Sequence, residues 1–220
     1  MRIISRNLAN LLNKKNMSTA NASNVDESIA KLIEANNEDE KKFNKVKEGK
    51  AQAYFHKTKN DVFYNPVQEF NRDLSIAVLN TYSSLHQNKK LNILEALAAS
   101  GIRSMRYALE IENCSQVVAN DFDSHAVELI NINARLNNVT DKVRANCDDA
   151  IVFMNKMTKN NFKNLDKSEQ IQFDCIDLDP YGSPAPFLDA SLRAIKNDGI
   201  LLVTATDAGV LCGNGADACY

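Results

Sequence analysis

A carboxylate, a proline and an aromatic ring stand in line at Asp179-Pro180-Tyr181, ahead of Gly182-Ser183-Pro184 and directly after the apolar run Phe173–Leu178. That arrangement suits an exocyclic amine on a flat ring. The lone pair of such an amine is delocalised, and it is a poor nucleophile until an acceptor pulls on its hydrogens. Asp179 is the candidate acceptor, the Pro180 carbonyl helps it, and Tyr181 is placed to stack on the ring. Proline stiffens the turn and keeps its carbonyl aimed. Pro-Tyr-Gly alone reads better as a turn closing a strand. Asp177, two residues earlier, is expected on the opposite side of the strand from Asp179 unless the strand end twists.

Three further places carry usable groups. Glu95-Ala96-Leu97-Ala98-Ala99-Ser100-Gly101 is a run of small residues opening a helix, where a nucleotide can approach the backbone closely; tight strand–helix packing explains it equally well. The G-x-G-x-x-G spacing of dinucleotide enzymes is absent. Arg103, in the first turn after Gly101, can grip the carboxylate of an amino-acid-like ligand by a bidentate contact. Asp121 ends the next apolar run, where an acid can accept hydrogen bonds from both hydroxyls of a ribose; Asp123 or Ser124 is expected to cap the helix that follows. Asp148-Asp149-Ala150 can accept a proton of an adenine amine, or cap a helix.

The elements that must position these groups alternate. Helices are expected at about Asp73–Leu85, Arg103–Leu109, Ala126–Leu136, from Asp149, and at Pro186–Ile195. Strands are expected at Leu91–Leu97, Gln116–Ala119, Val143–Ala145, Phe173–Leu178 and Ile200–Thr204. Such alternation implies βαβ units and a doubly wound parallel sheet covered on both faces. Ligands then bind at the carboxyl ends of the strands, where strand order reverses, and the unusual residues sit at those ends. The sheet is expected to lack its closing strands beyond Tyr220.

The charge is divided along the chain. Residues 1–90 hold 15 Lys and Arg against 10 Asp and Glu, and residues 91–220 hold 11 against 18. A basic arm beside an acidic domain fits a polyanion held near a site built from carboxylates; a solvated surface fits as well. Within that arm, residues 43–64 interleave Lys45, Lys47, Lys50, Lys57 and Lys59 with Phe43, Tyr54, Phe55, Phe63 and Tyr64, suited to phosphate contact and base stacking. A small satellite sheet with a solvated lysine face is the plainer alternative. Residues 17–42, polar and poor in large apolar side chains, read as a flexible linker.

Residues 1–16 carry Arg2, Arg6, Lys14 and Lys15, with Ile4, Leu8, Leu11 and Leu12 at helical spacing and no acid before Asp26. This is like a mitochondrial presequence. Met17 offers a second start that omits it, so a mitochondrial form and a nuclear or cytoplasmic form are expected. The five cysteines form no C-x-x-C pair, which fits free thiols in a reducing compartment and gives no metal site. No apolar run approaches the roughly 18 residues of a membrane span.

Taken together, Glu48-Gly49, Val62-Phe63-Tyr64-Asn65-Pro66 through Asn71-Arg72-Asp73-Leu74-Ser75, Ala98-Ala99-Ser100-Gly101-Ile102-Arg103, Asn120-Asp121, Asp149-Ala150 and Asp179-Pro180-Tyr181-Gly182-Ser183-Pro184 resemble, in order and spacing, the tRNA guanine-26 N2-dimethyltransferases. The resemblance runs from about residue 45 to the end. It implies a class I methyltransferase fold over residues 91–220, preceded by a basic arm and helix over residues 43–90. It further implies Arg72, Arg103, Asp121, Asp149 and Ala150 around S-adenosylmethionine, Asp179 at the target base, and tRNA as partner. The resemblance also implies a C-terminal tRNA-binding domain further along such chains. An amino-methyltransferase acting on DNA or a protein amide, and a non-catalytic RNA-binding fragment, are the alternatives.

Overall fold

The computed structural model describes residues 43–56, 64–162 and 173–207. It opens with a hairpin, β1 (Phe43–Glu48) and β2 (Ala51–His56). Gly49 turns it with a φ of +52°, and a Cβ there would lie 2.3 Å from Glu110 Oε1 and 2.9 Å from Arg106 Nε. Both the left-handed backbone and the crowding oppose any larger residue. Gly49→Ala is expected to cost about 1–3 kcal/mol of stability, read from urea unfolding. An unchanged midpoint would mean that the two side chains yield freely.

Helix α1 (Glu69–Leu85) begins before the expected Asp73, because its start signals lie upstream. The Asn65 side chain accepts the Val67 N–H at 3.0 Å, and Pro66 opens a short 3-10 turn that runs into the helix. Its buried residues Arg72, Ser75, Ile76, Leu79 and Ser83 recur at helical spacing and define one inward face.

From there strands and helices alternate: β3 (Leu91–Glu95), α2 (Ile102–Glu110), β4 (Cys114–Asp121), α3 (Ser124–Leu136), β5 (Val143–Cys147), α4 (Ala150–Phe162), β6 (Phe173–Leu178), α5 (Ala185–Ala194) and β7 (Ile195–Val203). Strand β7 leaves α5 directly, earlier than the expected Ile200. It absorbs Asp198-Gly199 as an irregularity, with Asp198 at φ +60° and a register break against β6.

Among the described residues the five strands from β3 onward form one parallel sheet in the order β5-β4-β3-β6-β7. The chain moves outward from β3 to β4 and β5, then returns to the other side of β3 with β6. The order therefore reverses between β3 and β6, where a crevice opens at the carboxyl ends.

Alternate strand residues enter two different cores. Ile93, Val117, Ala119 and Cys175 pack with α1, α2, α3 and β2, through residues such as Leu79, Met105, Ile130 and Phe55. Leu94, Val118, Ile176 and Leu178 pack with α4 and α5, through Met154, Ala190 and Ala194. This period of two places Asp177 and Asp179 on one side, toward α2. The expectation that they lie on opposite sides is corrected: residues two apart on a strand share a face, and both meet Arg103 of α2.

The hairpin from Asn44 onward clusters with the sheet domain and does not stand apart as an arm. Two asparagines one turn apart, Asn133 on α3 and Asn137 at its C-cap, hold the hairpin backbone. Asn133 accepts the Tyr54 N–H at 2.7 Å, Asn137 accepts the Gln52 N–H at 2.8 Å, and Asn137 also donates to the Gln52 carbonyl at 2.6 Å. Side-chain amides thus serve the strand edge as a neighbouring strand would. A buried ion network closes the other end. Glu48 takes Arg72 Nε at 2.7 Å and Nη2 at 2.5 Å, and Arg106 Nη1 at 2.8 Å, while the Tyr64 hydroxyl donates to it at 3.1 Å.

Candidate functional site

The loop leaving β3 is tied to both neighbouring strands. Ala96 N–H reaches the Asp177 carbonyl at 3.0 Å, and Ala98 N–H the Asn120 carbonyl at 2.8 Å. Ala99 and Gly101 adopt positive φ, +47° and +72°. A Cβ on Gly101 would come within 3.0 Å of Ile130 Cγ1, so this glycine answers close helix packing. Asn120, fully buried, donates to the carbonyls of Ala96 and Asp148, both at 3.0 Å, and Asn133 donates to the Ser100 carbonyl at 2.9 Å. The sequence motifs include Asn120 without a role of its own and leave out Asn133. The signal was an amide inside an otherwise apolar strand and on the buried stripe of a helix, positions that demand a partner.

Asp121, at the end of β4, faces this loop. Its Oδ2 accepts the Ala99 N–H at 2.8 Å and its Oδ1 the Asp123 N–H at 3.0 Å. A carboxylate offers about four lone-pair sites, so each oxygen keeps capacity for a ligand hydroxyl. Asp123 caps α3 by accepting the His125 N–H at 2.9 Å. Asp149 accepts the Val152 N–H at 2.9 Å and stands at the start of α4, with Ala150 buried behind it. Asp149 thus caps its helix in the manner the sequence left open.

Arg103 is the centre of charge. Its Nη2 donates to Asp179 Oδ2 at 2.6 Å and its Nη1 to Ser75 Oγ at 3.1 Å, and Nη1 lies 3.3 Å from Asp177 Oδ2. Burial opposes its charge, yet Asp177 and then Asp179 and Glu95 hold its pKa above the ordinary value. Asp177 receives the Tyr107 hydroxyl as well; burial raises its pKa and Arg103 only partly offsets this. Glu95 accepts the Ser104 N–H at 2.9 Å and the Ser104 hydroxyl. Burial pushes its pKa up to about 8, against the pull of Arg103.

Pro180 is buried, and Tyr181 presents its ring outward at 80% exposure. The Tyr181 phenol is pushed up by partial burial and then by the charges of Asp121 and Asp179, so both carboxylates act on it. Gly182 and Thr206 exchange hydrogen bonds, Gly182 N–H to Oγ1 at 2.8 Å and Thr206 N–H to the Gly182 carbonyl at 3.0 Å, which anchors the loop to the chain after β7. Beside it a cleft of about 300 Å³ runs between α1 and the end of β7, lined by Asn71, Leu74, Ser75, Val78, Val203 and Thr204.

Arg103, Asp121, Asp179, Pro180 and Tyr181 are thus gathered at the ends of β3, β4 and β6. Asp149 and Ala150 stand at the next strand end. Arg72 is buried against Glu48 and also donates to the Asn65 carbonyl at 3.0 Å; Ser75, on the same face of α1, is its neighbour toward Arg103. Of the basic and aromatic residues expected to meet RNA, Lys45, Lys47 and Lys50 are exposed, whereas Tyr54 and Phe55 are buried and not offered for stacking. Lys57, Lys59 and Phe63 lie outside the described residues, as do residues 1–42. Among the described residues no helix is long and apolar enough to cross a membrane.

The family model for N2,N2-dimethylguanosine tRNA methyltransferases matches residues 19–220. A tRNA (guanine(26)-N(2))-dimethyltransferase of Caenorhabditis elegans is 40% identical over 209 residues, covering 83% of this chain and 38% of that protein. The mitochondrial tRNA (guanine(26)-N(2))-dimethyltransferase of Saccharomyces cerevisiae is 40% identical over 220 residues, covering 79% and 36%. Trm1 from Pyrococcus horikoshii, solved with S-adenosyl-L-methionine, superposes with a TM-score of 0.68 at 38% identity, over 80% of this chain and 46% of that one. The chain spans little more than a third of the length of those two curated relatives.

Proposed function

This chain belongs to the N2,N2-dimethylguanosine tRNA methyltransferase family, and we propose that it carries the cofactor-binding and base-activating part of an enzyme that methylates the exocyclic N2 of guanine 26 in tRNA. The observation that carries this reading is the 2.6 Å contact between Arg103 Nη2 and Asp179 Oδ2. It puts a guanidinium suited to an amino-acid carboxylate against a carboxylate suited to an aromatic amine.

The residues present fit S-adenosylmethionine. Asp121 offers spare lone pairs for the ribose hydroxyls, Asp149 lies one strand further along for the adenine amine, and Arg103 stands at the other end of the loop for the carboxylate. Arg72, which resemblance also assigns to the cofactor, would act there only by relaxing its hold on Glu48, or by shaping the wall through Ser75. Bound, the cofactor supplies an electrophilic methyl group on its sulfonium, open to in-line displacement.

The target guanine is extruded from the tRNA stack and laid against the exposed Tyr181 ring. Asp179, helped by the Pro180 carbonyl, accepts the hydrogens of N2 and aims its lone pair. If N2 takes the methyl group from the sulfonium, the N–C bond would form as the S–C bond breaks, and one proton would leave N2 for Asp179 and then for solvent. A second round with fresh cofactor repeats this on the monomethyl amine. Most of the rate must come from positioning in a dry site. Labelled methyl donor offered with RNA, DNA and protein together tests the reading. Label is expected in RNA, and label only in DNA or protein would overturn it.

If Asp121 holds the ribose, Asp121→Ala is expected to weaken cofactor binding by about 1.5–3 kcal/mol, the range for hydrogen bonds to a charged group, in a calorimetric titration. Asp121→Asn, which keeps an acceptor for the Ala99 N–H, separates loss of the ligand contact from loss of the loop. Unchanged affinity in both folded variants would move the ribose site elsewhere. The presequence-like start motivates a further expectation: a form begun at Met1 enters mitochondria, and one begun at Met17 serves the nucleus and cytoplasm. Fluorescent fusions of the two forms would distribute differently, and identical distributions would end this proposal.

A further inference from the structure

Arg103 stands between carboxylates of unequal freedom. Asp177 is 1% exposed, at the β6 position paired with Glu95 of β3, and its Oδ2 is shared by Arg103 and the Tyr107 hydroxyl. Its Oδ1 is buried and has no hydrogen-bond partner among the described residues. Asp179 lies just past the strand end with its side chain 24% exposed. Parting Arg103 from Asp177 would leave buried charge uncompensated, whereas Asp179 can turn to water at little cost. Two carboxylates, those of Asp177 and Asp179, already hold this one guanidinium. A third arriving from outside competes with these two, and Asp179, the more exposed, is the one that can yield.

We propose that Asp177 is the positioning residue that fixes Arg103, and that Arg103 exchanges Asp179 for the carboxylate of the cofactor, releasing Asp179 to face the target amine. The inference rests on the roles given to Arg103 and Asp179 above and adds a coupling between them. Without cofactor, Asp179 is occupied; with it, the base acceptor is exposed. The two ligands therefore favour one another, and the coupling is reciprocal. It also reverses the sign expected of an ordinary site residue, since removing Asp179 removes a competitor.

The test is calorimetric, on the full chain, with two probes: S-adenosylhomocysteine, which keeps the carboxylate, and 5′-methylthioadenosine, which lacks it. Asp179→Ala and Asp179→Asn are expected to bind S-adenosylhomocysteine about 3- to 10-fold more tightly, with methylthioadenosine unchanged. Asp177→Asn is expected to weaken the first probe by about 5-fold or more and spare the second, a split that a merely structural role would not produce. Arg103→Gln should weaken the first probe alone. If Arg103→Gln does so while both Asp179 variants bind the first probe no better than the parent, the exchange is overturned and the assignment of Arg103 stands. If Arg103→Gln leaves both probes unchanged, the assignment of Arg103 falls and the exchange falls with it.

Discussion

Asp179→Ala is expected to lower turnover by about 10²- to 10⁴-fold while leaving cofactor and tRNA bound. A group that accepts the amine hydrogens is needed most where charge develops at N2, in the transition state. Its loss therefore falls on the rate and does not weaken ground-state binding. The contact with Arg103 at 2.6 Å adds a check on folding, because the guanidinium keeps Asp177 and Ser75 as partners when Asp179 is shortened. Asp179→Asn keeps an acceptor oxygen and loses the charge, so an intermediate defect would assign part of the effect to charge. Single-turnover kinetics at saturating cofactor and tRNA would measure both. A folded, cofactor-bound Asp179→Ala protein with a near-parental rate would contradict the role.

The largest effect on stability is expected at Glu48. Its carboxylate is fully buried and holds two guanidinium groups that are themselves almost inaccessible, Arg72 at 6% and Arg106 at 3% side-chain exposure. Glu48→Gln leaves both cations short of their shared counter-ion and is expected to cost about 3–5 kcal/mol in urea unfolding. Asp73 and Glu110, at 2.5 and 2.9 Å from Arg106, soften the loss on that side. Among the described residues Arg72 has no such second carboxylate.

Acid acts on the same group. Burial opposes ionisation of Glu48, but the hydrogen bonds and charges of Arg72 and Arg106 outweigh it and hold the pKa below its ordinary 4.5. The ion pairs therefore contribute fully above pH 4.5, and their contribution is lost as pH falls through the depressed value. The parent should lose stability over that acid range more steeply than Glu48→Gln. Parallel pH profiles would remove Glu48 from the account of acid unfolding.

The strand ends were legible because they combine two local signals, an apolar run and an acid that closes it. Asp121 and Asp179 both follow that rule, and Cys147 with Asp148 follows it weakly. Helix starts were less legible where the cap preceded the periodic stretch, as at Asn65-Pro66 before α1. Asp177 was misplaced by misapplying the strand period, and its burial partners were beyond reach: the pairing of Asp177 with Glu95 depends on strand order, not on sequence distance. The same holds for Glu48, whose partners Arg72 and Arg106 lie 24 and 58 residues away. Lysine–aromatic alternation in the hairpin pointed to nucleic acid, yet in a strand that pattern equally divides a solvated face from a buried one. Tyr54 and Phe55, adjacent in β2 and so on its opposite faces, are both buried, and Asn133 of α3 and Asn137 at its C-cap bind the β2 backbone.

The central claim is that these strand ends deliver methyl groups to one amine of one nucleotide. Mass spectrometry of nucleosides and mapped fragments from tRNA, after incubation with the full-length protein and S-adenosylmethionine, tests it most directly. The account predicts N2-methylguanosine followed by N2,N2-dimethylguanosine at position 26, and neither product with Asp179→Ala beyond a trace. Methyl groups found on another atom or another position, with guanine 26 unmodified, would contradict it.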